Sequence, residues 1–281
     1  LLYSMGTLQQ TALLNLTAFL LTSNFVAHPL SKGGHSMNLS SLDLDLAPTG
    51  KLRVGINYGN PVLATRDPSS GQLGGVAVDL ARELGRRTDL PLELVGFESA
   101  GKMVEGLKAA AWDVAFLAID PGREQEISFT APYIEIEGTY LVPPGSALGA
   151  IADVDRENVR VAVSGKSAYD LFLIRNLKHA QLVRASSPEA AFELLVAGKA
   201  DALGGVRQHL VANTGKLPGS RVFDGRFMAI QQAPGIPKAH DASLSYLREF
   251  IEEVKASGLV ARALEKAGVQ GVSIAPKMTS K

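Results

Sequence analysis

Leu107-Lys108-Ala109-Ala110-Ala111-Trp112-Asp113 ends a helical pattern and enters a strand pattern through an aspartate, and Leu195-Val196-Ala197-Gly198-Lys199-Ala200-Asp201 repeats this joint. Each joint belongs to a strand–helix–strand–helix–strand series that is read from its apolar periodicity. The first series covers residues 53–57, 76–84, 92–97, 103–110 and 113–119, and the second covers residues 159–164, 169–177, 181–185, 189–197 and 201 onward. Two βαβαβ units predict an α/β protein with two Rossmann-like lobes.

Two such lobes imply a cleft, because ligands of open α/β sheets bind beyond the carboxyl ends of the strands and beside the amino ends of the helices. Strand patterns at residues 138–142 and 227–231 predict two crossings between the lobes, which together make a hinge. Helices are expected at residues 243–256 and 259–267. The predicted boundaries are 1–50 for a leader or disordered segment, 51–142 plus 229–270 for lobe 1, 143–228 for lobe 2, and 271–281 for a disordered tail.

The beginning of the chain has some features of an export signal. Residues 13–21 are apolar like a signal-peptide core, and Ala27 is a small residue near a cleavage point. No Lys or Arg precedes Lys32, and Phe25 is bulky where a small residue is preferred. With Met37 as an alternative start, both an exported and a cytoplasmic protein stay open on this segment alone.

Composition excludes several classes of function. The chain of 281 residues carries 28 Lys+Arg and 28 Asp+Glu, so a nucleic-acid partner and an anionic membrane are not favoured. The absence of cysteine excludes disulfides and thiolate sites, and no nucleotide-binding glycine motif occurs. The histidines lack metal-ligand spacing and are expected at the surface or in loops: His28, His35, His179, His209 and His240. We predict no metal and no cofactor.

The first candidate site residue is Arg123, which ends Ile119-Asp120-Pro121-Gly122-Arg123 just after a predicted central strand. A guanidinium at that edge can hold a carboxylate through two charge-assisted hydrogen bonds. The alternative is a surface pair between Arg123 and Asp120 in a turn.

The facing candidate is the stretch Val163-Ser164-Gly165-Lys166-Ser167-Ala168-Tyr169, which combines a strand end, a glycine turn and a helix start. Free backbone N–H groups and the Ser167 hydroxyl can receive an anionic group there, and Lys166 adds charge. The simpler interpretation of Ser167 is a helix N-cap. Together with Arg123, this turn is predicted to clamp a carboxylate.

From about residue 50 to residue 268, the chain resembles the family 3 bacterial extracellular solute-binding proteins, the amino-acid-type substrate-binding components of ABC transporters. The segments that carry the resemblance are Leu52-Arg53-Val54-Gly55-Ile56 with Pro61, Gly75-Val76-Ala77-Val78-Asp79-Leu80-Ala81, Trp112-Asp113-Val114-Ala115, Arg123 with Ile127-Ser128-Phe129-Thr130-Ala131-Pro132-Tyr133, and Ala200-Asp201-Ala202. The resemblance implies a type II periplasmic binding fold. It also implies a monomer that closes on a small amino acid or related solute and serves a permease in the periplasm or outside the cell.

In that family, the arginine matching Arg123 holds the α-carboxylate of the ligand, with help from the turn matching Lys166, Ser167 and Ala168. Other positions depart from the family pattern. Val206 stands where an acid usually binds the α-amino group, with Arg207 next to it, and the aromatic positions hold Asn60 and Ala100, while the ligand loop is reduced to Leu117-Ala118-Ile119-Asp120.

These departures predict weak binding of ordinary L-amino acids. A carboxylate that lacks an ammonium group is one candidate ligand, and a ligand whose ammonium group is held by Asp120 is the other. The leading hypothesis is a non-enzymatic transport component. The rivals are a cyclohexadienyl dehydratase-like enzyme, for which Asp120, Glu137 or Lys166 would supply the acid or base, and a cytoplasmic ligand-binding or sensor module.

Overall fold

The computed structural model describes residues 46–238 and 240–278. Within these ranges the helices are α1 (Val76–Thr88), α2 (Ala100–Lys108), α3 (Ala168–Asn176), α4 (Pro188–Val196), α5 (Arg207–Thr214), α6 (Asp241–Ala256) and α7 (Leu259–Lys266). The strands are β1 (Leu52–Asn57), β2 (Thr65–Arg66), β3 (Leu73–Gly74), β4 (Leu92–Phe97), β5 (Val114–Ala118), β6 (Ile127–Phe129), β7 (Ile134–Val142), β8 (Arg160–Ser164), β9 (Gln181–Ala185), β10 (Ala202–Val206), β11 (Arg221–Val222), β12 (Met228–Pro237) and β13 (Ser273–Ile274).

The predicted duplication is confirmed in the strand order β4-β1-β5-β12-β7-β10-β8-β9. Strand β1 pairs in parallel with β4 and β5, and strand β8 pairs in parallel with β9 and β10. These two parallel triplets are the sheets of lobes 1 and 2. Strands β7 and β12 lie between them and run antiparallel to each other and to their outer neighbours.

The crossing segments are these two central strands. The first half of β7 pairs with β12 and its second half pairs with β10, and Gly138 is the residue where the partner changes. A Cβ atom on Gly138 would lie only 2.9 Å from Met228 Cγ and 3.0 Å from the ring of Phe227. Strand β7 changes its pairing partner four residues before residue 142, where the boundary between the lobes was predicted. The lobe boundaries themselves stay a prediction.

Both repeated joints are held by the same kind of ion pair. In lobe 1, Arg53 donates from Nε and Nη2 to the carboxylate of Asp113 over 3.0 and 2.6 Å. In lobe 2, Arg160 donates from Nε and Nη2 to the carboxylate of Asp201 over 3.0 and 2.9 Å. Each aspartate also accepts the backbone N–H of its arginine. The joint aspartate therefore ties the start of the third strand to the start of the first in each lobe.

The helix before each joint ends through a residue with positive φ, which is 47° at Ala110 and 67° at Gly198. In each joint, the residue that follows the one with positive φ donates its backbone N–H to the carbonyl oxygen five residues earlier in the chain. The N···O distance is 2.9 Å in both joints. This is the usual glycine-terminated helix end, because a glycine adopts positive φ without a Cβ penalty. Lobe 1 places an alanine in the conformation for which lobe 2 uses a glycine.

The helices cover the sheet with apolar faces. The predicted stripe of α1 is confirmed, since Val76, Leu80 and Leu84 are fully buried. The predicted start of α4 is confirmed as well, because the Ser187 hydroxyl accepts the N–H of Ala190 over 3.1 Å. Within the described ranges, no helix is long and apolar enough to cross a membrane.

Some predicted bounds need correction. Strand β7 begins at residue 134, before the predicted 138, and β12 continues to residue 237, past the predicted 231; helix α5 and several short strands were not predicted. The prediction of a disordered tail is wrong for Ser273–Ile274, which pairs with β7, and for Ala275, which is buried. Leu46 and Ala47 are buried in the fold, while the rest of the predicted leader lies outside the described residues.

We predict that Ala110→Gly raises the free energy of unfolding by about 0.5–1 kcal/mol, because it relieves the positive φ at this helix end. Urea denaturation of the purified protein measures the change. The matched control is Gly198→Ala, where nothing lies within 4 Å of the added Cβ, so only the backbone term operates. That control should lose about 1 kcal/mol. Destabilisation by Ala110→Gly would contradict the assignment of strain to this joint.

Candidate functional site

A cavity lies between the lobes at the carboxyl ends of the parallel strands. It encloses about 530 Å³ of space free of protein atoms, its open mouth included. Strands β1, β5, β8 and β10 contribute their last residues to its wall, and helices α2 to α5 contribute their N-terminal ends, while β12 supplies two residues from the crossing segment. This is the location that the topology of open α/β sheets predicts.

Six of the nine predicted ligand-binding residues line this cavity, namely Asn60, Ala118, Arg123, Ser167, Ala168 and Val206. The other three, Asp120, Lys166 and Arg207, are not part of its wall because their side chains are engaged elsewhere. The binding roles themselves stay predictions.

Arg123 follows β5 and is 4% exposed. Its Nη1 donates to the carbonyl of Ala118 over 2.8 Å, and its Nη2 donates to the carbonyl of Lys166 over 3.0 Å. The first acceptor belongs to lobe 1 and the second to lobe 2, so the guanidinium bridges the cleft. Its Nε is buried and has no partner among the described residues. The alternative of a surface pair with Asp120 is therefore wrong.

The cavity has a positive charge. Burial lowers the pKa of Arg123 to about 10, and the nearby charge of Asp120 opposes that shift. The guanidinium therefore stays protonated at neutral pH. No Asp, Glu or Lys side chain of the described residues lines the same wall. A buried cation that forms no ion pair with a described carboxylate favours an anionic ligand, because an unpaired charge in a desolvated site is costly.

Helix α3 presents its N-terminus to the cavity opposite Arg123. Ser167 is confirmed as its N-cap, since its Oγ accepts the N–H of Asp170 over 3.1 Å. Ala168 and Tyr169, which also line the cavity, occupy the first two helical positions, and amides there have no intrahelical acceptor. These amides and the positive end of the helix dipole can receive a carboxylate.

Asp120 joins the two lobes rather than facing the cavity. Its Oδ2 accepts from Nη2 of Arg175, on α3, over 2.7 Å, and its Oδ1 accepts the N–H of Gly122 over 2.8 Å. The carboxylate is nearly fully buried. Since both of its oxygens are engaged outside the cavity, Asp120 is not placed to hold an ammonium group of a ligand.

Lys166 contributes its backbone to the site while its side chain points elsewhere. Its φ is +59°, and its N–H donates to Asp170 Oδ2 over 2.8 Å. Asp170 also accepts from Arg184 Nε over 2.9 Å. This turn directs the carbonyl of Lys166 to Arg123, whereas its Nζ lies 2.6 Å from Glu105 Oε1 in the other lobe. The predicted cationic contribution of Lys166 to the cavity is replaced by an exposed inter-lobe ion pair.

Arg207 holds the crossing strand in place. Its Nε donates to Glu137 Oε2, on β7, over 2.6 Å, and its Nη1 donates to the carbonyl of Phe223 over 3.0 Å. A further hydrogen bond joins Arg207 to the carbonyl of Gly225. Arg207 therefore ties β7 to the loop before β12. Val206, one residue earlier, lines the cavity with an apolar side chain.

Six further polar residues of the wall had no predicted binding role, namely Asn57, Ser99, Ser164, Tyr169, His209 and Gln232, although Ser164 and Tyr169 belong to the stretch that was predicted to face Arg123. Asn57 and Ser164 end β1 and β8, and Ser99 caps α2, so the rule that placed the cleft at strand ends and helix starts also indicates these three. Gln232 lies in the part of β12 that follows the predicted strand.

His209 corrects the expectation that the histidines lie at the surface or in loops, because it lines the cavity from the first turn of α5. Burial lowers its pKa, and the charge of Glu189 opposes that change. Its Nε2 lies 3.0 Å from Nδ2 of Asn213. Since an amide nitrogen only donates, Nε2 of His209 is the acceptor of this hydrogen bond.

Comparisons with known proteins agree with this architecture. The family model described as bacterial extracellular solute-binding proteins, family 3, matches residues 52–270. The chain is 30% identical over 134 residues to the virulence sensor protein BvgS of Bordetella pertussis (strain Tohama I). The aligned stretch covers 47% of this chain and 11% of that protein. The chain is also 24% identical over 173 residues to the ABC transporter glutamine-binding protein GlnH of Bacillus subtilis (strain 168). This aligned stretch covers 54% of this chain and 57% of that protein.

The chain thus spans less than two thirds of the length of either curated relative. A solved structure of a mutant of ArgBP from T. maritima matches with a TM-score of 0.69 at 24% identity, over 81% of this chain and 99% of that chain. That likeness shows the fold, a two-lobed type II periplasmic binding protein. With the family model matched across both lobes, the chain belongs to the bacterial extracellular solute-binding proteins, family 3.

Proposed function

We propose that this protein is the substrate-binding component of an ABC transporter and captures a small carboxylate-bearing solute between its lobes for delivery to a permease. The observation that carries the proposal is Arg123, a buried guanidinium in the cavity wall with hydrogen bonds to both lobes. Two of its five N–H donors serve backbone carbonyls, which leaves three N–H groups that have no acceptor among the described residues.

The charge distribution around the cavity supports an anionic ligand. Two further carboxylates lie close to the site, but each is paired with its own arginine, Asp120 with Arg175 and Asp170 with Arg184. The charge of Arg123 is left for the ligand. A carboxylate between Arg123 and the N-terminus of α3 would receive charge-assisted hydrogen bonds from one lobe and backbone amides from the other.

Closure of the lobes supplies the mechanism. Three contacts join them beside the cavity, from Arg123 to the carbonyl of Lys166, from Asp120 to Arg175 and from Glu105 to Lys166. Helix α2 also approaches the second lobe closely, since a Cβ on Gly101 would lie 2.8 Å from a backbone oxygen there. A ligand that touches both lobes shifts the equilibrium to the closed form by its differential affinity for that form.

The three residues that the enzyme hypothesis named as acid or base do not face the cavity. Asp120, Glu137 and Lys166 each hold an ion pair and do not line the cavity. Besides the arginine, the titratable side chains of the wall are Tyr169, whose pKa burial raises to about 12, and His209, whose pKa burial lowers. Binding without catalysis accounts for this wall with fewer assumptions, and we propose it over a dehydratase-like activity.

A sensor module would use the same cavity and the same closure, so location and partner decide between the two roles. We propose a periplasmic or extracellular monomer that docks on a permease. The deciding experiment is native mass spectrometry of the purified protein to identify the co-purified solute, together with fractionation of the source cells. A co-purified carboxylate in an extracytoplasmic fraction supports the proposal, whereas a cytosolic, uncleaved protein counts against transport.

We predict that Arg123→Ala weakens binding of the co-purified solute at least about tenfold, because truncating one partner of a buried charged pair typically costs 2 kcal/mol or more. Isothermal titration calorimetry measures the affinity, and circular dichroism checks the fold. The control is Arg248→Ala on the exposed surface of α6. Unchanged affinity in a folded Arg123→Ala protein would remove Arg123 from the site.

We predict that Arg175→Ala lowers the affinity for the solute about 3- to 30-fold through faster dissociation. The reason is that Arg175 is the partner of the buried Asp120 carboxylate, and this pair joins the lobes only in the closed form. Stopped-flow release of the solute and small-angle scattering measure the rate and the opening. Arg184→Ala is the matched control, since its pair with Asp170 has similar exposure and lies within lobe 2. Equal dissociation rates in the two variants would show that the Asp120–Arg175 pair does not stabilise closure.

A further inference from the structure

We infer that Gln232 recognises a neutral polar group next to the carboxylate of the ligand, so that the preferred solutes are 2-hydroxy or 2-oxo acids rather than amino acids. This inference rests on the proposed function, because it names the substrate class of the same cavity. The specificity role falls on a residue of the crossing strand β12. Neither the family pattern nor the rule on strand ends indicated this residue.

The first observation is the side-chain amide of Gln232. Gln232 lines the cavity and is 3% exposed. Its Oε1 is buried and has no hydrogen-bond partner among the described residues. A buried polar group left unpaired costs about 1–3 kcal/mol. Because Gln232 belongs to the cavity wall, a ligand group that reaches this amide would recover that cost.

The second observation is the position of this amide relative to the cation. Gln232 lies directly opposite Ala118 in the pairing of β12 with β5, so their side chains share one face of the sheet. The carbonyl of Ala118 is the acceptor that fixes Nη1 of Arg123. Amide and guanidinium are thus attached to neighbouring points of the same sheet edge. A ligand whose carboxylate meets Arg123 would place the substituent of its adjacent carbon near Gln232.

The third observation is the net charge of the wall. Arg123 balances one carboxylate, and among residues 46–238 and 240–278 no acidic side chain lines the cavity to balance an ammonium group. Val206 stands where an acid would be needed, and it is apolar and 7% exposed. Burying an ammonium group without a counter-charge is costly. A hydroxyl or keto group avoids this cost, because the rotatable amide of Gln232 can accept from the former or donate to the latter.

The test uses pairs of acids that share a carbon skeleton: glycolate with glycine, L-lactate with L-alanine, L-malate with L-aspartate, and L-phenyllactate with L-phenylalanine. Calorimetry on the wild-type protein, freed of co-purified solute by unfolding and refolding, should give at least tenfold tighter binding of the best hydroxy acid than of its amino acid. Gln232→Glu adds the missing counter-charge and should reverse that preference.

Gln231→Glu is the matched control. It makes the same change one position earlier on β12, where the side chain is exposed and bonds Glu135 over 2.8 Å. This control should keep the preference of the wild type. A second variant, Gln232→Met, keeps the shape without the polar atoms and covers the case in which Gln232→Glu does not fold. This variant should lose the preference of the wild type for L-lactate over propionate. If another carbon skeleton binds best, the same comparison is made between its hydroxy acid and the acid that lacks the hydroxyl group.

The outcomes separate this inference from the proposed function. If the wild type binds none of these acids, the proposal of a small carboxylate solute fails. If the wild type prefers the amino acids, or if Gln232→Met keeps the preference for the hydroxyl group, the role of Gln232 fails while carboxylate binding stands. A reversal in Gln232→Glu and not in Gln231→Glu supports the inference.

Discussion

The buried guanidinium of Arg123 is the constraint on which the rest of this site depends. A cation that is 4% exposed must have acceptors, and here they come from two backbone carbonyls in different lobes. Neither lobe alone can satisfy this side chain, so the geometry of the guanidinium is inseparable from closure of the cleft. The turn at Lys166 adopts a positive φ and is fixed by Asp170, which delivers the second carbonyl.

The remaining buried charges leave the cavity to Arg123. Asp120 and Asp170 are both nearly buried, and each pairs with a half-exposed arginine rather than with the cavity. One of these pairs joins the lobes and the other stiffens lobe 2. A buried carboxylate is tolerated only when it is paired. The part of the chain that the structure describes thus forms a wall with one cation, neutral polar groups and no acid, and these properties govern the class of ligand that can enter.

Much of the fold could be predicted because its signals are local. Apolar periodicity, Ser187 before Pro188, and the repeated aspartates at residues 113 and 201 each report on a few neighbouring residues. The cleft and Arg123 followed from the rule on strand ends. The side-chain directions of Asp120, Lys166 and Arg207 did not follow, because their partners Arg175, Glu105 and Glu137 lie at least 55 residues away in the chain.

The sequence by itself determined the duplicated α/β architecture, the family and the place of the cleft, since helix and strand periodicity and the joint motifs are encoded within short windows. Only the tertiary structure decided which polar groups face that cleft. Gln232 and the exposed Gln231 are indistinguishable as residue types, and the pleat of β12 alone puts one of them in the cavity wall. His209 became a wall residue by the packing of α5. Such choices depend on contacts between distant segments, which local patterns do not contain.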